Sequence, residues 1–366
     1  MAGPKATTSR HRPASAPCLG RQRAGSILLG TGQGASSVDL RTGAQLGHSA
    51  PEPPEIHGSS VSPPASQILS VTTCPADPRC HHLPHSQGVM QILRCPAQLQ
   101  LLEETLRKSL PTTLPVLGTV MTVARGNPAA HEVLVDSWPN FRIVLTRLCP
   151  EEHKDHKDHY TNQLAVFYRD KGALRALLGG TEAVDRARAF QLLGMQEGLD
   201  KAVRDVAGAR GLQVKTIRYL ALMSPEPPQP RGHVPPGLRL APVSPSHIPL
   251  LNATWVLGGN TRSQAFLLGL VRMMPSICLL GPRGRPVSWS LLDAQGCLRH
   301  GYTVPAWRGH GLIGITLATL GQQLHARGFP IYCAVLPHNT ASLRALGAIG
   351  FLVQPGTFYM IVGTPK

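Results

Sequence analysis

A chain of 366 residues, 42% of them apolar, can build two ordinary domains with packed cores. Its formal charge of +16 points to anionic partners, whether nucleic acid, an acidic membrane surface or a phosphorylated small molecule. No apolar run reaches the length of a membrane span. Aromatics at 5%, with no basic–aromatic alternation and no C-x-x-C pair, argue against nucleic acid.

Residues 1–88 are rich in Pro, Ser, Gly and His and cannot bury enough apolar surface to offset their ordering entropy, so a disordered extension is expected. Lys5, Arg10, Arg12, Arg21 and Arg23 precede the first acid, Asp39, a composition that suits a mitochondrial transit peptide. Pro4, Pro13 and Pro17 interrupt the amphipathic helix such a peptide needs, which leaves open an incidental extension on a cytoplasmic or endoplasmic-reticulum-associated protein. Cys74, Cys80, His81, His82 and His85 are zinc-type ligands, but their spacing and flanking prolines match no standard finger. They read as a His-rich disordered tract, and no metal is expected. The eight cysteines are scattered singly along the chain, so reduced thiols are expected.

A domain-like pattern begins at Met90 and is expected to run to residue 223. Leu99, Leu102, Leu106 and Leu110 recur at helical spacing. Runs rich in Val, Ile and Leu at 116–123, 132–136, 142–147 and 163–168 predict strands. A helical region is predicted over about 182–209, then a strand at QVKTIRYL. The Pro-rich stretch within 224–245 predicts a stiff, solvated linker. Beyond it, residues 246–366 predict a second α/β domain. Helices are expected near 246–256 and 262–273, followed by a hairpin through PRGR and a third strand, CLRHGYTV. A helix then carries Ile313, Leu317, Leu320 and Leu324 on one stripe. The strand PIYCAVL, an Asn-led helix and two short strands close the chain. Trp138 and Trp289 are expected in the core.

Between the third strand and the striped helix lies the segment with the most chemistry. Arg308, Gly309 and Gly311 stand at a helix mouth, where small residues let backbone amides approach a ligand and the helix dipole favours an anion. An Arg opposes that dipole, so an anionic partner is implied.

The order strand, Arg308-x-x-Gly311, helix, strand and Asn339-x-x-Ser342 helix resembles the Gcn5-related N-acetyltransferase superfamily. Four further runs, GNPAAHEVLVDSWPNF, DHYTN, GMQEGLD and LLGPRGRPVSWSLLD, resemble the glycine N-acyltransferase-like family from Met90 to the C-terminus. The resemblance implies a mixed α/β chain of two acetyltransferase-like domains joined by the linker. It implies an amino-acid N-acyltransferase that passes an acyl group from acyl-CoA to glycine or a similar small amino acid. Acyl-CoA is then a co-substrate, with no permanently bound cofactor, and the partners are small molecules. On this resemblance the strand holding Tyr302 and Val304 aligns the pantetheine arm. Gly309, His310, Gly311, Leu312 and Ile313 cradle the pyrophosphate, Arg308 adds positive charge, and Asn339 and Ser342 complete the cofactor side. His310 faces solvent and is no base.

The resemblance also implies a base, a Glu in the glycine-conjugating members on the strand before the loop, and the matching position here is Cys297, a poor proton acceptor. Asp293, His300 or water are the substitutes within reach. Where some relatives carry a Tyr to protonate the leaving thiolate, this chain has Leu346. The alternative reading is a non-catalytic acyl-CoA-binding protein with the cradle kept and the base lost.

Overall fold

The computed structural model describes residues 90–180 and 184–365; the extension, its expected targeting segment and the Cys/His tract lie outside the described residues. The first half of the described chain supplies β1 (Gln91–Ile92), α1 (Pro96–Arg107), α2 (Leu114–Ala124), β2 (His131–Val135) and β3 (Ile143–Leu148). It continues with β4 (Gln163–Tyr168), α3 (Lys171–Gly179), β5 (Phe190–Gly194), α4 (Leu199–Arg210) and β6 (Leu212–Ser224). The second half supplies β7 (Arg239–Ala241), α5 (Ile248–Thr254), α6 (Thr261–Met273), β8 (Ser276–Leu280), β9 (Pro286–Leu292) and β10 (Cys297–Thr303). It ends with α7 (Leu312–His325), β11 (Ile331–Val335), α8 (Thr340–Gly347), β12 (Leu352–Val353) and β13 (Phe358–Pro365).

These strands form one open mixed sheet in the order β1-β2-β3-β4-β5-β13-β6-β11-β10-β9-β8-β7, with β12 on β6. The fold is the mixed α/β class expected. Its halves are knitted rather than strung together. β13, the last strand, lies antiparallel between β5 and β6, with Met360 opposite both Leu193 and Ile217. β6 in turn reaches across, pairing its residues 220–224 with β11. The largest hydrophobic cluster follows the same continuity: Leu117 and Met121 of α2 share it with Leu292, Leu298 and Phe329 of the second half.

Four elements differ from the sequence expectation. The run 116–123, expected as a strand, lies inside α2. Pro115 sits in its first turn, where a missing N–H costs nothing. The Thr119 and Thr122 hydroxyls donate to the carbonyls of Pro115 and Gly118, so their polar groups are satisfied within the helix. Burial on all sides removes the amphipathic signature, and the β-branched residues then mimic a strand. The predicted helix over 182–209 is strand β5 followed by α4. FQLLG is a short, fully buried run whose period cannot distinguish helix from strand. The linker is not free in solvent. Pro228 is buried against Gly321 of α7, Gln322 Nε2 donates to the Pro228 carbonyl, and Arg231 Nε donates to the Ala348 carbonyl. The last strand is also longer than expected, at eight residues.

Trp289 is fully buried and Trp138 partly so, both against the main cluster. His131 on β2 is buried as well, with Nδ1 2.8 Å from the Ala129 carbonyl, and burial pushes its imidazole down to about 4. The unfolded chain therefore binds a proton that the folded chain refuses once the pH drops below about 6.5, so stability falls with falling pH down to about 4. The expected loss is about 3 kcal/mol from this residue. Thermal midpoints measured from pH 7 to 4 should fall steeply in the native protein and less steeply in His131→Phe. Parallel curves would show that another group drives the loss.

Candidate active site

The second half opens where β10 and β11 separate. The two strands run parallel and pair at Cys297 with Tyr332 and at Leu298 with Cys333, and nowhere beyond. A bulge against β9 falls between Arg299 and Tyr302, and His300 within it adopts φ 55°, a strained left-handed conformation for a residue other than glycine. Past Leu298, the β10 edge that faces β11 is free of a strand partner. That leaves a row of backbone groups able to pair with an extended ligand.

At the end of β10 the chain passes through a 3-10 turn (Pro305–Trp307) into the Arg308-x-x-Gly311 loop. Gly309 and Gly311 have φ of 84° and 69°, which glycine alone adopts without strain. Gly311 is the N-cap of α7, and no side chain caps that helix. The amides of Gly309, His310, Gly311, Leu312 and Ile313 donate to no group among the described residues. Five amides at the positive end of a 14-residue helix are thus without a partner among the described residues. Arg308 is exposed, with its Nε donating to the Thr303 carbonyl at 3.0 Å and its guanidinium 5.3 Å from the Tyr302 ring. Tyr302 in turn stacks on buried Trp289 at 5.1 Å, so a core aromatic fixes the strand that holds Arg308. His310 is exposed.

α7 lies across the second-half sheet. It is buried more broadly than the expected stripe, with Leu312 and Ile315 packing on Leu279 and Val287. Asn339 caps α8, its Oδ1 accepting from the Ser342 amide at 3.2 Å. This cap accounts for the Asn-x-x-Ser spacing without a ligand.

Cys297 sits at the first residue of β10 and is 1% exposed. Burial raises its thiol well above the ordinary range, and the carboxylate of Asp293 adds to that. It is a neutral thiol at every physiological pH. Asp293 is spent on structure: Oδ1 accepts from the amides of Gln295 and Cys297, and Oδ2 pairs with Arg299 at 3.2 Å. Burial raises the Asp293 carboxyl, against the pull of Arg299 and the two amides. His300 is pushed down to about 3, mainly by burial and further by Arg299. It packs edge-on to Trp255 at 4.6 Å. None of the three substitutes for a basic carboxylate: one is a buried thiol, one a fully engaged carboxylate, one a weakly basic imidazole.

The thiols give a direct check. Cys95 is exposed, while Cys278, Cys297 and Cys333 are buried. Iodoacetamide should alkylate Cys95 in the folded protein and leave the other three untouched until denaturant is added. Peptide mass spectrometry reads this, and rapid labelling of Cys297 in the folded protein would contradict the buried turn.

Compared with known proteins, residues 90–275 match the profile of the aralkyl acyl-CoA:amino acid N-acyltransferase family, and residues 277–363 match the profile of its C-terminal region. The chain belongs to this family. It is accordingly an acyl-CoA-dependent amino-acid N-acyltransferase. Among relatives, it is 34% identical over 275 residues to the glycine N-acyltransferase of Rattus norvegicus, covering 70% of this chain and 93% of that one. It is 36% identical over 258 residues to the glycine N-phenylacetyltransferase of Bos taurus, covering 66% and 88%. In structure, a Drosophila protein solved by X-ray methods shares the fold at a TM-score of 0.61 and 15% identity, over 76% of this chain and 99% of that one. As a family member, the chain pairs an uncapped, glycine-led α7 with a buried thiol at the start of β10.

Proposed function

We propose that the second half binds acyl-CoA between β10, β11 and α7 and passes the acyl group to the amine of glycine or a similar small amino acid. The carrying observation is the set of five unengaged amides at the mouth of α7, beside a strand edge that has lost its partner. The pyrophosphate of acyl-CoA meets the amides of 309–313, and Arg308 supplies a fixed positive charge. The pantetheine arm extends along the free edge of β10 near Tyr302 and Val304 as an added strand. That alignment holds the thioester beside the bulge at His300.

The free amine attacks the thioester carbon, a C–N bond forms, the C–S bond breaks and coenzyme A leaves as its thiolate. The ammonium proton goes to solvent water, because Cys297, Asp293 and His300 are unsuited to hold it. A backbone-based site still accelerates the reaction by orientation and by fixed dipoles. Without a carboxylate base, turnover rises with pH as more acceptor is present as free amine.

Thiol release measured over a range of acyl-CoA chain lengths, with glycine and glutamine as acceptors, tests the reading. Amine-dependent release that climbs with pH is the expected result. Tight acyl-CoA binding with no release under any acceptor would replace the enzyme with an acyl-CoA-binding protein.

A further inference from the structure

The first half repeats the plan of the second. β4, Arg169-x-x-Gly172, α3 and then β5 parallel to β4 follow the same order as β10, Arg308-x-x-Gly311, α7 and β11. The parallel pairs also open alike. β4 pairs with β5 only over its residues 163–165, and residues 166–168 continue without that partner. By position in the fold, the first half therefore holds the counterpart of the acyl-CoA cleft.

Two side chains of the chain itself occupy it. Gln196, just past β5, reaches across the gap: its Oε1 accepts from the Tyr168 amide at 2.8 Å and its Nε2 donates to the Tyr168 carbonyl. One primary amide thus closes both backbone groups of the strand edge, as an added strand or a ligand amide does. At the helix mouth, Asp170 stands where the second half has Gly309. It caps α3, its carboxylate accepting from the Gly172 amide at 2.7 Å. The positive end of α3 is therefore matched by an anion from within. Arg169, the counterpart of Arg308, is turned onto the Phe141 ring at 4.3 Å. A cleft of about 520 Å³ remains outside the plug, with Arg169, Lys171 and Glu197 all on its wall, so its charge does not decide the matter and the sealing rests on Gln196 and Asp170.

We propose that the first half carries a second coenzyme cleft sealed by its own residues, with Gln196 in place of the pantetheine amide and Asp170 in place of the pyrophosphate. One chain then takes one acyl-CoA, a consequence that rests on assigning the second-half cradle to acyl-CoA. The sealed half stays packed with the second half through α2 and β13.

Isothermal titration of coenzyme A into the full chain tests the stoichiometry, with Gly311→Glu and Gly172→Glu titrated alongside and their folding checked by circular dichroism. The expected result is one coenzyme A per native chain, binding weakened about a hundredfold or more in Gly311→Glu so that none is detected at concentrations that saturate the native chain, and one for Gly172→Glu with an affinity within about twofold of native. Two per native chain, with one left in Gly311→Glu, overturns the sealing and leaves the second-half site standing. One per chain that survives Gly311→Glu and is lost in Gly172→Glu overturns both assignments.

Discussion

Gly311→Glu is expected to weaken acyl-CoA binding about a hundredfold or more. Two costs add. A residue with a Cβ at φ 69° loses roughly 1–2 kcal/mol to left-handed strain. A carboxylate about 4 Å from a pyrophosphate charge adds several kcal/mol of repulsion at an effective dielectric near 20. With about 1.4 kcal/mol per tenfold, the sum exceeds two decades. Gly311→Ala separates the costs, since it keeps the strain without the charge and should lose only about tenfold. Titration calorimetry with coenzyme A reads both. An affinity in Gly311→Glu equal to native would remove the pyrophosphate from this loop.

The second large effect comes from the other half of the chain. Gly118 lies in the middle of α2, and a Cβ there would stand 1.7 Å from the carbonyl oxygen of Gln295. That carbonyl also accepts from the Tyr332 hydroxyl at 2.8 Å, so it cannot turn aside freely. Gly118→Ala must push α2 away from turn 293–297, or push the turn and with it the start of β10. Overpacking of this kind costs typically 1–3 kcal/mol, which lowers the thermal midpoint by about 2–4 °C per kcal/mol for a body of this size. Displacing the turn by an ångström should also reduce kcat/KM by about tenfold to a hundredfold. Gly208→Ala is the control. That glycine lies in α4 with no atom near a built Cβ and no positive φ. It should stay neutral or gain up to about 1 kcal/mol from helix propensity. Equal behaviour of the two variants would mean that α2 does not brace the turn.

The helix mouth of the candidate site is readable in the sequence because its signals are local. Arg308, Gly309 and Gly311 announce a helix mouth through residue type alone, and the strand before and the helix after are periodic enough to identify. Cys297 draws attention only through the family resemblance, since a lone thiol carries no signal of its own. The burial of its thiol was not readable, because it depends on α2, Tyr332 and Asp293 converging from distant parts of the chain. The same limit explains α2. Its Val and Thr content says strand, and only contact with both halves makes an all-round apolar helix favourable. The insertion of β13 between β5 and β6 is a long-range pairing with no local signature. The first-half cleft could have been found: Arg169-x-x-Gly172 has the spacing of Arg308-x-x-Gly311 and the same neighbours, and comparing the chain with itself reveals it. The contact of Gln196 has no local signature, because it meets Tyr168 only once β4 and β5 are paired.

Transfer to an amine, rather than binding or hydrolysis of the thioester, is the central claim, and the amide product measures it most directly. Native protein incubated with an aryl-substituted acyl-CoA and isotopically labelled glycine should form labelled N-acylglycine, detected by mass spectrometry. Its amount should equal the coenzyme A thiol released, and both should vanish in Gly311→Glu. Thiol release at the same rate without glycine and with no labelled amide would contradict the account.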